Sequence, residues 1–104
     1  MNTPYRKLVR DNIPEIILQS GKHPNIRILE EKEYYEALKQ KLQEELDEFF
    51  LTDDVIELVD IGEVMHAILA MKNVSIEEYQ RLRQVKKSKN GAFDRRFFLE
   101  SVDE

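Results

Sequence analysis

The sequence contains no cysteine, which excludes a disulfide framework and any thiolate metal site. Glycine is scarce: Gly21, Gly62 and Gly91 are scattered, and no Gly-x-x-x-x-Gly-Lys loop is present to cradle phosphates through backbone N–H groups. No stretch approaches the roughly 20 apolar residues that span a bilayer, and the first residues lack the apolar run of a secretory signal. A cytoplasmic location with no membrane association is therefore expected. A di-iron bundle needs a Glu-x-x-His pair from each of two helices, and His23 and His66 do not supply two. Positive charge is also in deficit. The net charge of -5 gives the molecule no bulk attraction to nucleic acid, and stable nucleic-acid binding is not expected.

What is present fits one small domain, residues 1–104, with a modest core. Apolar residues make up 41% of the chain, an ordinary share, whereas 36% are charged, so much of the surface carries charge. Small helical domains with wide apolar stripes often complete their core by dimerising, and a homodimer is expected here. The charge is unevenly placed. Acidic residues crowd the stretch from Glu30 to Glu63, while Arg81, Arg83, Lys86, Lys87, Lys89, Arg95 and Arg96 gather toward the C-terminus.

The periodicity predicts an all-α chain with minor strands. Tyr5 to Arg10 reads as an irregular arm. Asn12-Ile13-Pro14-Glu15 starts a short helix that stops near Gly21, because proline is tolerated in the first turn but not further in. Ile26 to Leu29 has the composition of a short strand. A long amphipathic helix runs from Glu31 to Leu51. Thr52-Asp53-Asp54 forms a turn with an N-cap, and a second helix continues from Val55 to Lys72. Ser75-Ile76-Glu77-Glu78 matches a capping box that opens a further long helix, ended by Asn90-Gly91. Phe93 to Leu99 is expected as a second short strand, paired with Ile26 to Leu29. Tyr34, Tyr35, Phe49, Phe93, Phe97 and Phe98 are expected mostly in the core.

Two acidic pairs at helical spacing carry the chemistry. Glu45 and Glu48 lie in Glu44-Glu45-Leu46-Asp47-Glu48, and Glu57 and Asp60 in Glu57-Leu58-Val59-Asp60. Residues three apart project from nearly the same face of a helix, so each pair aims two carboxylates at one point. Two such helices face to face offer four oxygen donors, a set suited to Mg²⁺ or Mn²⁺. The second pair sits within the stripe Ile61, Val64, Ile68 and Met71, where a bare carboxylate costs several kcal/mol unless it pairs, binds a cation or takes up a proton. The first flanks the stripe Leu38, Leu42, Leu46, Phe49 and Phe50. The unremarkable alternative is that Glu44, Glu45 and Glu48 are salt-bridge partners of Lys39 and Lys41, and that Glu57 serves the helix start. Neither accounts for Asp60, a poor helix former beside an apolar face.

The ordered pattern Glu-Glu-x-x-Glu then Glu-x-x-Asp, at Glu44 to Glu48 and Glu57 to Asp60, resembles that of the all-α nucleoside triphosphate pyrophosphatases. That group includes MazG, the dimeric dUTPases and phosphoribosyl-ATP pyrophosphohydrolase. The opening Lys7-Leu8-Val9-Arg10-Asp11-Asn12-Ile13-Pro14 and the closing Lys86 to Phe93 resemble a branch described as phosphoribosyl-ATP pyrophosphohydrolase-like or MazG-like house-cleaning enzymes. The resemblance covers nearly the whole chain, although only eight residues separate the two halves of the acidic motif. It implies an antiparallel helical bundle that hydrolyses a nucleoside triphosphate to the monophosphate and pyrophosphate with Mg²⁺. By motif position, Glu45, Glu48, Glu57 and Asp60 would hold the metal, and Glu44, Glu45 and Glu48 would form the catalytic acidic group. Lys7, Arg10, Lys86, Lys89 and Arg95 are the candidates for phosphate contact. The alternative readings are a non-catalytic helical interaction module and a nucleotide-binding sensor.

Overall fold

Local chemistry at the helix ends sets the element order. In the computed structural model, which describes residues 1–103, the chain forms four helices and, among the described residues, no strand. Helix α1 spans Ile13–Gln19 with Pro14 in its first turn, and it stops where Gly21 takes a φ of 87°. Helix α2 spans Glu31–Thr52 and closes on Asp53, whose left-handed backbone lets its N–H reach the carbonyl of Phe49 at 2.8 Å. Helix α3 spans Val55–Met71, and its N-cap Asp54 accepts the Ile56 N–H at 2.9 Å. Helix α4 spans Ile76–Asn90, with the Ser75 hydroxyl accepting the Glu78 N–H at 3.1 Å. The Glu78 carboxylate turns to Arg81. No helix among the described residues is long and apolar enough to cross a membrane.

The two-residue connection Asp53-Asp54 folds α3 back along α2, and this pair is the main packing unit. Leu38 and Val64 are its buried centre, with Leu42, Leu46, Phe49, Ile61, Ile68 and Met71 half-buried around them. At the end remote from the Asp53-Asp54 turn, the ammonium groups of Lys39 and Lys72 stand 5.0 and 5.1 Å from the centre of the Tyr35 ring. Helix α4 packs on α3 alone. Its half-buried side chains are Glu78 and Tyr79, and from Gln80 to Asp103 every residue is exposed.

Three expectations fail at the periphery. Ile26–Leu29 and Phe93–Leu99 are not strands; an extended segment holds as a strand only when its N–H and C=O groups find a ladder, and these two do not meet. Phe93, Phe97 and Phe98 are not core, being 95%, 77% and 86% exposed. Phe50 leaves the predicted stripe, because one residue on from the half-buried Phe49 it is turned about 100° around α2, and it is exposed with Leu51, Val55, Ile56, Leu58 and Val59.

Candidate metal centre and its basic surround

The turn between α2 and α3 brings the two acidic segments face to face. One carboxylate oxygen each from Glu45, Glu57 and Asp60 lies within 4.8 Å of the others. This donor set fits a hard divalent cation, which takes carboxylate oxygens and fills its remaining positions with water. Glu48 is exposed and stands outside the group of three, yet its charge acts on Glu57. Partial burial pushes the Glu57 carboxyl above the ordinary glutamate range, and the carboxylates of Glu48, Asp60, Glu45 and Asp54 push it further.

Glu45, rather than Asp60, is the most buried member, with 9% of its surface exposed. It sits on the covered side of α2 next to Leu38 and Leu42, not on the flank that the stripe pattern suggests. The Lys41 ammonium lies 3.4 Å from Glu45 and 3.5 Å from Glu44. That pairing matches the helical-spacing alternative, whereas Lys39 pairs with Glu36 at 3.2 Å. Burial raises the Glu44 carboxyl, but the Lys7 hydrogen bond and the nearby Lys41 charge outweigh it and leave the group below its ordinary value.

The irregular N-terminal arm is fastened to this site. Lys7 donates to Glu44 at 3.1 Å, and Arg10 donates to Asp60 at 2.7 Å. Both were candidates for phosphate contact in the sequence, and both are brought to the acidic group. Lys86, Lys89 and Arg95 are not: they are exposed on α4 and the segment after it, without an ion pair to the site among the described residues. The Arg95 guanidinium instead stacks 4.4 Å from the centre of the Phe97 ring. His23 and His66 are exposed and stand outside the acidic group. Gly62, one turn into α3 from the site, faces open space, since a Cβ there meets nothing within 4 Å.

Sequence reasoning missed which acid each arm cation engages. Lys7 and Glu44 are 37 positions apart and Arg10 and Asp60 are 50 apart; no helical or strand period links residues at such distances. The available signal was compositional, a cationic arm in a chain whose acidic residues lie elsewhere.

No family model matches the sequence, and no solved structure matches it. A stretch of 47 residues, 45% of this chain, is 51% identical to part of an uncharacterized protein of Mycolicibacterium smegmatis. The match spans about half of that relative, 48% of its length.

Proposed function

We propose that the protein is a Mg²⁺-dependent nucleoside triphosphate pyrophosphohydrolase that cleaves between the α and β phosphates. The observation that carries this reading is the convergence of Glu45, Glu57 and Asp60 from two helices on one point, with cations of a distant segment beside them. Glu45, Glu57 and Asp60 hold the metal, with Glu48 at the rim; Mn²⁺ serves in the same place. When bound, the ion offsets phosphate charge and polarises the phosphorus centre. Glu44 and Glu48 position water and accept its proton as its oxygen bonds to phosphorus and the bridging P–O bond breaks, with the electron pair leaving on pyrophosphate. Lys7 and Arg10 exchange their carboxylate partners for phosphate oxygens, which suit an ammonium and a guanidinium equally well. A homodimeric assembly belongs to the same reading.

One observation favours a second reading, a non-catalytic interaction module. Glu44, Glu45 and Asp60 each have a cationic partner, so most of the acidic group is already ion-paired, Glu57 being the member without a cation beside it among the described residues. A nucleotide sensor stands between the two. Pyrophosphate release from a panel of standard and modified nucleoside triphosphates, with Mg²⁺ and with chelator, separates the readings. Hydrolysis requires metal-dependent release in the wild type that falls at least a hundredfold in Glu57→Gln and in Glu48→Gln with helical content intact. Metal-dependent nucleotide binding without product identifies the sensor. Neither binding nor release from folded protein leaves the interaction module.

A further inference from the structure

The segment ahead of α2 is lightly held. None of its residues is buried, and α1 forms no packed pair with another helix. Its side-chain hydrogen bonds to the α2–α3 pair, among the described residues, are all ionic and fall at two places. At one end Arg27 grips Glu33, in the first turn of α2, through both terminal guanidinium nitrogens at 3.1 and 2.7 Å. At the other, Lys7 and Arg10 reach Glu44 and Asp60. The first attachment stands clear of the acidic centre, since Glu33 lies about 18 Å from Glu45 along the helix at 1.5 Å per residue. The second is on the centre itself. The segment from Lys7 to Arg27 is thus a strap, anchored at its far end and latched by two cations onto acids of the site.

Three cations offset the acids of the centre, and they are not alike. Lys41 belongs to α2 and is 17% exposed, so it is held with the helix. Lys7 and Arg10 belong to the strap and are 44% and 52% exposed. A Mg²⁺ ion bonded to either oxygen of Asp60 at about 2.1 Å stands within about 7 Å of the Arg10 guanidinium, inside the Debye length at physiological salt. A double positive charge there repels Arg10 and draws on the carboxylate that holds it. Exposed ion pairs are individually weak, so the strap gives way before the ion does. We infer that the strap is a metal-operated latch: in metal-free protein Lys7 and Arg10 cap the acidic centre, and a divalent ion entering at Glu45, Glu57 and Asp60 releases them. Glu57, which has no cation beside it, is the open point of entry. The coupling is reciprocal, so the strap weakens metal binding by the same factor as the metal weakens the latch. The inference rests on the reading of these three acids as metal ligands and not on hydrolysis. Under the pyrophosphohydrolase reading it sets an order, because Lys7 and Arg10 become free for phosphate only once the metal is in place.

The absence of cysteine lets two labels be placed without interference. Full-length Val9→Cys/His66→Cys, both positions being exposed, carries one nitroxide on the strap between its two cations and another on α3. Dipolar electron spin resonance is expected to find a narrow distance distribution in chelator and a longer, broader one in saturating Mg²⁺. Calorimetry with Mg²⁺ alone is expected to find Arg10→Gln and Lys7→Met binding the ion about two- to fivefold more tightly than wild type, the scale of one exposed ion pair, with Arg27→Gln unchanged. Distances that Mg²⁺ does not alter in protein that binds it overturn the latch and leave the metal reading standing. Equal or weaker binding by both strap variants does the same, since the strap would then support the ion rather than compete with it. An absence of Mg²⁺ binding in wild type and variants alike overturns both. Metal-coupled release in a protein that hydrolyses no triphosphate supports the latch and sinks the enzyme reading alone.

Discussion

Lys41→Met isolates the electrostatics of the acidic centre. Methionine keeps most of the apolar stem of lysine and removes the ammonium. Lys41 and Glu45 are 17% and 11% exposed at the side chain and 3.4 Å apart, so the substitution leaves a mostly buried carboxylate without its partner. Breaking a fully buried pair costs about 3–5 kcal/mol; the remaining exposure and the other cations nearby reduce this to about 2 kcal/mol in metal-free protein. At roughly 4–8 °C per kcal/mol for a domain of this size, the Tm falls by about 8–16 °C in chelator. Lys39→Met is the control. Its pair with Glu36 is half exposed on both sides, so that variant loses under about 1 kcal/mol even with the Tyr35 contact included. Added Mg²⁺ replaces the missing charge, so calorimetry should find it bound more tightly by Lys41→Met, whose Tm deficit narrows. Equal losses in the two lysine variants would refute the cost assigned to the buried Lys41–Glu45 pair, and a Lys41→Met deficit that Mg²⁺ leaves untouched would refute the assignment of Glu45 to the metal.

Glu57→Gln is expected to raise the Tm of metal-free protein at neutral pH. The folded-state pKa of Glu57 lies above its unfolded value through burial and the neighbouring carboxylates, so its stabilisation is complete below the unfolded pKa and is lost as pH rises through the folded one. The advantage of the amide should therefore vanish on acidification, and thermal scans across pH that find the variant less stable at neutral pH without metal would contradict this. Gly62→Ala is expected to gain about 1 kcal/mol from helix propensity, because a Cβ meets open space there. A loss in chemical denaturation would mean that another surface closes on that side of α3.

The helices were legible because each boundary has a local chemical cause. Pro14, Asp54, Ser75 and Gly91 marked ends within a residue or two of those observed, and the stripe through Val64 and Ile68 marked the covered face of α3. The strands were misread because a run such as Ile26 to Leu29 records only that apolar, β-branched residues are present, whereas a strand depends on a partner that one segment cannot specify. At the site, helical spacing sufficed to pair Glu57 with Asp60. It did not rank burial, because the depth of Glu45 depends on where α3 crosses α2. The arm's attachment was illegible for the same reason, its partners being fixed by tertiary contacts rather than by any repeat.

The N-terminal arm has a consequence for how the chain acquires its structure. The α2–α3 hairpin forms through contacts close in sequence across a two-residue turn, which favours early and rapid assembly. The arm precedes the hairpin in the chain but can dock only after it, since Arg10 has no binding place until Asp60 has been presented 50 positions later. Its attachments are surface ion pairs, each contributing about 0–1 kcal/mol, so they sit at the low end of the opening free energies of the molecule. Hydrogen exchange should therefore find Lys7 to Arg10 releasing and rebinding many times while the amides around Leu38 and Val64 stay protected.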